Sequence, residues 1–219
     1  MKKLVKKIIF GDSQIQTIKG GIGKGLKMNI DVSSKAQRII GLDEREIQKP
    51  FMNYSKNCNY FFDIGASDGY YSLLYRKYNP TGTIFMFEAQ TKFKIEQEEH
   101  FKLNGFKIDY HHYDKFVSNL DNDKNVSIDT LFQEKNKTLL FKIDVDGGEM
   151  DVLNGMKNTA IYNNCYFVIE THTKQLEIDC IKFLQDLGYK TKIIDQGWYR
   201  TFVKEDRPIE HNRWFIASK

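Results

Sequence analysis

The stretch that decides the fold is Tyr60 to Gln90, YFFDIGASDGYYSLLYRKYNPTGTIFMFEAQ. Tyr60 to Ile64 is an aromatic and β-branched run of the kind that forms a buried parallel strand, and it stops at Gly65. Gly65-Ala66-Ser67-Asp68-Gly69 sets two glycines around a tight turn, Tyr70 to Tyr78 is helix-compatible, and Pro80 and Gly82 break the chain. Thr83 to Phe87 is a second apolar strand with Glu88 at its end. Strand, glycine turn, helix and strand in immediate succession predict the first half of a nucleotide-binding α/β unit. Backbone N–H groups at the helix start can approach an anion, and a carboxylate about 20 residues further on can accept both ribose hydroxyls.

The spacing excludes a dinucleotide fingerprint, because Ala66 and Ser67 fill the places where G-x-G-x-x-G needs its second glycine. Asp63-Ile64-Gly65-Ala66-Ser67-Asp68-Gly69 instead resembles motif I of class I S-adenosylmethionine-dependent methyltransferases, with Glu88 where that superfamily holds the ribose. Leu140 to Gly155, LFKIDVDGGEMDVLNG, resembles the K-I-D-V-E-G-x-E-x-x-V-L-x-G signature of the FkbM family of those enzymes. With Ser127 to Leu131 (SIDTL) before it and Ile169-Glu170-Thr171-His172 after it, the resemblance runs in order from about Gly41 to Ala217. It implies an α/β, Rossmann-like fold with a mostly parallel seven-stranded sheet and an antiparallel last strand. It also implies S-adenosylmethionine as cofactor, held by Asp63, Gly65, Ala66, Ser67, Gly69, Glu88 and Asp144. Asp146 stands where the family usually has Glu, and Gly148 where a side chain is common; the shorter carboxylate loses a methylene of reach.

At 219 residues, 41% hydrophobic and 14% aromatic, the chain can bury one good-sized core. We expect a single structural domain, with residues 1–57 as an N-terminal extension or lid and 58–219 as the cofactor-binding part. The net charge of +4 comes from lysines scattered among nearly as many carboxylates, which argues for a solvated surface and against a nucleic-acid footprint. Met1 to Phe10 opens like a secretory n-region, but its apolar run ends at Gly11 and Asp12, and no stretch has the length of a membrane span. Cys58, Cys165 and Cys180 lack metal-type spacing and read as reduced packing cysteines in a cytoplasmic protein. GGIGKG at 20–25 looks like a phosphate loop, yet Ile18 occupies the place that needs the leading Gly, and no Ser or Thr follows Lys24.

Along the rest of the chain, Leu26 to Val32 alternates as a half-buried strand, and Asp43 with Glu46 resembles a capping box before Pro50. Helix is expected over Thr91 to Leu103 and strand over Lys107 to His111. A polar crossing follows from Asp114 to Lys137, ordered only at Val126 to Phe132. Leu139 to Val145 and Cys165 to Ile169 read as strands, with a short helix over Gly148 to Met156 between them. Leu176, Cys180, Ile181, Phe183, Leu184 and Leu187 form a helical core stripe. Tyr189 to Ile194 and Arg213 to Ala217 close the sheet, and since no helix separates them the last strand should run antiparallel.

In an open α/β sheet the ligand lies beyond the C-terminal strand ends, where Asp63, Glu88, Asp144, Asp146, Glu170 and His172 fall. Lys142, Asp144 and Asp146 alternate, so all three are expected on one face. His172 is the best-placed base at neutral pH, and Asp146 is its neighbour if the two strands adjoin, either orienting the imidazole or acting alone. Asp144, Asp146 and Glu149 with His172 could make an oxygen-rich Mg²⁺ or Mn²⁺ site, but the spacing is loose and the resemblance does not require it, so no metal is expected. His111 and His112 read as structural. Gln196 to Arg200, with Trp198 and Tyr199, could stack on a sugar together with the N-terminal extension. The expected activity is methyl transfer to a hydroxyl of a sugar, glycan precursor or small metabolite. The alternatives are a nucleic-acid methyltransferase, which the missing N/D-P-P-Y/F sequence opposes, and a cofactor-binding protein without catalysis.

Overall fold

The computed structural model describes residues 14–197 and 211–219. Two short antiparallel strands, β1 (Ile15–Thr17) and β2 (Lys27–Asn29), open it with Gln16 opposite Met28, followed by α1 (Val32–Ile39) and α2 (Arg45–Ser55). The alternation of Leu26, Met28 and Ile30 does predict burial, but the strand ends early. Asp31 turns the chain by accepting from Ser33 N at 2.9 Å, which caps α1 at Val32. Asp43 forms no capping box; its carboxylate accepts from Arg38 Nε at 2.6 Å, and α2 runs through Pro50 to Ser55.

The main sheet begins with β3 (Tyr60–Ile64), α3 (Tyr70–Tyr78), β4 (Thr83–Phe87), α4 (Lys92–Leu103) and β5 (His111–Tyr113). The third strand therefore lies later than Lys107 to His111. The polar crossing carries a small parallel pair, β6 (Phe116–Val117) with β7 (Asn125–Val126), and one turn of helix, α5 (Ile128–Leu131). Then come β8 (Thr138–Ile143), α6 (Glu149–Asn154), α7 (Lys157–Tyr162), β9 (Asn164–Thr171), α8 (Lys174–Asp186), β10 (Lys190–Ile194) and β11 (Arg213–Ser218). The strand order is β5-β4-β3-β8-β9-β11-β10. All pairs are parallel except those of β11, which enters between β9 and β10 antiparallel to both.

Both faces of the sheet are covered, so its strands are apolar nearly throughout. Phe61, Met86, Leu140 and Val168 face the N-terminal extension and α3, while Phe62, Phe141, Phe167 and Phe215 face Val152, Leu153 and Leu184 of α6 and α8. Met28, Ile39, Ile47 and Phe51 of the extension are fully buried in the first of these cores. At about 1.5–3 kcal/mol per buried side chain, this packing outweighs the extension's hydrogen bonds to α4, near 1 kcal/mol each. Two such bonds are Lys27 N to Asn104 Oδ1 at 2.8 Å and Asn29 N to His100 Nε2 at 2.9 Å. Among the described residues, no helix is long and apolar enough to cross a membrane.

Ile64 pairs with Phe87 on one side and Ile143 on the other, and Ile143 with Ile169. The ends of β3, β4, β8 and β9 thus lie level. The chain winds outward from β3 to β5 and resumes on the other side at β8, which opens a crevice at the reversal.

Candidate active site

Gly65 ends β3 at φ +76°, and a Cβ there would stand 1.9 Å from Asp144 O, so only glycine lets the turn meet the end of β8. The N–H groups of Gly65 and Ala66 both donate to Phe87 O at 3.0 Å, and Gly69 N donates to Ala66 O at 2.8 Å. Ser67, itself left-handed at φ 46°, donates its N–H to Glu88 Oε2 at 3.0 Å, while Gln90 N donates to Glu88 Oε1 at 2.8 Å. These amides are therefore engaged within the fold, while the Glu88 oxygens keep lone pairs for a second partner.

A cleft of about 480 Å³, in the range of small-molecule sites, lies over this crevice. Gly65, Glu88, Ser118, Asn125, Asp144 and Asp146 are among its walls. Such a cleft has room for a small molecule the size of S-adenosylmethionine, and the carboxylates of Glu88, Asp144, Asp146 and Asp151 line it, which complements a positively charged ligand. Asp63 does not line it. Its carboxyl is fully buried behind the turn, Ser72 Oγ donates to Oδ2 at 2.7 Å, Oδ1 has no hydrogen-bond partner, and burial pushes its pKa up to about 6.

The other half of the site sits on the ends of β8 and β9. Lys142 Nζ donates to Gly65 O at 3.0 Å and to Asp144 Oδ2 at 3.2 Å. Burial alone would lower its pKa, but Asp144, Asp63 and Glu44 outweigh that and raise it. Lys142 and Asp144 do share a face. Asp146 does not follow the alternation, because β8 has ended at Ile143 and Asp146 takes a left-handed φ of 46° that leaves its side chain 72% exposed. The turn nevertheless brings Asp146 Oδ1 to 3.3 Å from His172 Nε2, as the adjacency of β8 and β9 predicts.

His172 Nδ1 lies 2.5 Å from Oε1 of fully buried Glu149, while Nε2 also faces Asp144 Oδ1 at 3.6 Å and Glu170 Oε2 at 3.7 Å. Burial works to lower the histidine's pKa, but the Glu149 hydrogen bond and the charges of Asp144, Glu149 and Asp146 raise it on balance. Glu170 is driven well above the usual carboxylate range by burial and by Asp144.

Sequence reasoning missed Glu44. It precedes α2 at a left-handed φ of 43°, accepts a hydrogen bond from the Tyr71 hydroxyl, and is raised to about 7 by burial and the charges of Asp43 and Asp144. The extension thus brings a carboxylate toward the strand ends, with no pattern in the sequence to announce it. His111 stacks on Phe85 with centroids 4.7 Å apart, and His112 Nε2 is 2.9 Å from Asp114 Oδ1; neither lines the cleft. Trp198, Tyr199 and Arg200 lie outside the described residues. Just before them, Gly197 N donates to Glu46 Oε1 at 3.2 Å, which ties Gly197 to α2.

Strand order, reversed last strand and glycine turn together define the class I methyltransferase fold. Residues 108–191 match the methyltransferase FkbM domain, which bears out the resemblance read from the sequence. S-adenosylmethionine is the cofactor of that class. Among solved structures, the FkbM methyltransferase of Methylobacillus flagellatus KT superposes with a TM-score of 0.57 at 12% identity, over 75% of this chain and 47% of that one. Precorrin-6y C5,15-methyltransferase of Geobacter metallireducens GS-15 gives 0.53 at 14% identity, over 80% and 89%. A SAM-dependent O-methyltransferase of Thermotoga maritima gives 0.54 at 16% identity, over 80% and 65%. At these identities the likeness is one of fold. No curated protein sequence matches the chain.

Proposed function

We propose that the protein transfers the methyl group of S-adenosylmethionine to a hydroxyl oxygen of a sugar, a glycan precursor or a small metabolite. The observation that carries this reading is that Asp144 and Asp146 line the same cleft as Glu88 and also face His172. A ribose-holding carboxylate and a proton-accepting cluster therefore open on one space. The cofactor supplies a methyl on a good leaving group, and the protein's tasks are alignment and removal of the hydroxyl proton. Gly65, Ala66, Ser67 and Gly69 give the cofactor its shape, Glu88 holds the ribose, and Asp144 closes the cleft beyond the turn. Asp146 and His172 form the pair that handles the proton, with Glu149 orienting the imidazole. Residues 1–57 act as an extension over domain 58–219, and Gln196 to Arg200 receives the acceptor.

A nucleic-acid acceptor is disfavoured because Glu88, Asp144, Asp146 and Asp151 line the cleft against the single cation Lys115, a field that repels phosphates. The buried free thiols of Cys58, Cys165 and Cys180, each pushed up to about 12 by burial, support a cytoplasmic setting. The test is transfer of labelled methyl from S-adenosylmethionine into host extracts fractionated by size and polarity. Label in a small polar fraction is expected. Stabilisation by NADH but not by S-adenosylhomocysteine overturns the assignment.

A further inference from the structure

The ends of β8 and β9 hold more negative charge around one imidazole than proton transfer needs. His172 Nε2 faces Asp146 Oδ1, Asp144 Oδ1 and Glu170 Oε2 at 3.3, 3.6 and 3.7 Å, while Nδ1 is taken by Glu149. Glu170 is 2% exposed, and its Oε2 points at this cluster without a hydrogen-bond partner. A buried polar atom left without a partner is costly. Lys142 does not answer it, since its ammonium bonds Asp144 and Gly65 O.

We propose that Asp144, Glu170 and His172 bind one divalent cation of the Mn²⁺ type, which holds the acceptor hydroxyl beside the cofactor's methyl. The donor atoms of the three all lie within 4.8 Å of one another. Ligands bound to one ion at about 2.0–2.2 Å stand roughly 3–3.5 Å apart, so small side-chain rotations close the observed separations. Glu149 meets the second requirement of such a site: a carboxylate on Nδ1 fixes the tautomer and leaves the Nε2 lone pair for the cation. Two carboxylates suit a hard ion and the imidazole a softer one, which favours Mn²⁺ over Mg²⁺. Asp144 lines the cleft, so the ion's open positions face it.

The role of the ion, though not its binding, rests on the hydroxyl-methylating reading. A hydroxyl bound to a divalent cation is a stronger acid. Its proton passes to Asp146. The oxygen's electron pair then forms the bond to the methyl carbon as the carbon–sulfur pair stays with sulfur, leaving a methyl ether, S-adenosylhomocysteine and a proton. His172 serves here as a ligand, and Asp146 is left as the base.

The experiment titrates Mn²⁺ into the full chain after chelator treatment, following free Mn²⁺ by electron paramagnetic resonance. One site per chain is expected, weakened at least about tenfold in Glu170→Gln and in His172→Ala and unchanged in the exposed Asp123→Asn. Glu170→Gln keeps the volume of the side chain, so loss of folding is not its expected effect, and melting curves verify that. No Mn²⁺ bound to the parent chain, or unaltered binding in folded Glu170→Gln, overturns the site. S-adenosylhomocysteine binding in the same samples separates the two readings. Its retention without Mn²⁺ binding overturns the cation site alone, and a Mn²⁺ site lost in Glu170→Gln without cofactor binding upholds the site and overturns the methyltransferase.

Discussion

Nδ1 of His172 lies 2.5 Å from Oε1 of Glu149, a carboxylate on α6 that is wholly shielded from solvent. A carboxylate can only accept, so Nδ1 carries the proton and the Nε2 lone pair points to the strand ends, whether to take a proton or to hold a cation. Glu149→Gln reverses this, since the amide can donate to Nδ1 and push the proton onto Nε2. We expect kcat to fall about 10- to 100-fold with S-adenosylhomocysteine affinity unchanged, measured by turnover and calorimetry. Glu149→Asp, which keeps the acceptor, should recover part of the loss. Equal damage in both variants would leave Glu149 as a packing residue only.

The cofactor half makes a separate prediction. Glu88 accepts from Ser67 N at 3.0 Å and Gln90 N at 2.8 Å, so under the proposed cofactor role Glu88→Ala removes a ribose acceptor and loosens the turn together. Affinity for S-adenosylhomocysteine should drop at least about tenfold, in keeping with 1.5–3 kcal/mol for a hydrogen bond to a charged group. Gly65→Val should abolish binding, because its Cβ enters the space of Asp144 O. Unchanged calorimetric affinity in Glu88→Ala would remove Glu88 from the cofactor site.

The strands of the sheet were legible because a strand covered on both faces must be an apolar run, as in Phe61, Leu140 and Val168. The glycine turn after β3 was legible because a left-handed turn beneath a neighbouring strand demands glycine at Gly65. Asp146 was misplaced because period-two reasoning holds only inside a strand, and β8 stops at Ile143. Glu44 was invisible because its place is set by long-range packing of the extension, and Asp43 with Glu46 offered a more local reading that the structure does not use. The approach of Glu149 to His172 spans 23 residues and depends on how α6 leaves β8, which no local pattern encodes.

Acid stability should depend on Asp68, where the glycine turn meets the extension. Arg38 Nη1 and Lys35 Nζ approach its Oδ2 at 2.5 and 2.7 Å. Burial alone would raise its pKa, but the two cations outweigh burial and hold it well below the usual carboxylate range. A carboxylate with a depressed folded-state pKa adds stability that is fully present above its unfolded value of about 3.9 and is lost as pH falls through the lower folded value. Urea denaturation should show stability declining below about pH 4, with a shallower decline in Asp68→Asn. Arg38→Met should cost about 3 kcal/mol at pH 7, the low end for breaking a buried pair, because Lys35 remains. A parallel pH dependence in parent and Asp68→Asn would place the acid-sensitive group elsewhere.

The exposed carboxylate of Asp146 gives the sharpest division of labour at the strand ends. Its side chain is 72% exposed, against 14% for Asp144, 3% for Glu170 and 0% for Glu149, and it lines the cleft, so it is placed to take a proton from an acceptor and release it to water. Asn has the same shape and no basicity. Asp146→Asn should therefore lower kcat at least about tenfold, within the 10² to 10⁴ that general-base catalysis contributes, with acceptor KM and cofactor affinity nearly unchanged. His172→Ala should lower kcat as well, but should also weaken Mn²⁺ binding, which Asp146→Asn should leave intact. Loss of Mn²⁺ binding in Asp146→Asn would make Asp146 a ligand. Full activity in Asp146→Asn would remove it as the base and leave alignment by the cleft as the main source of rate.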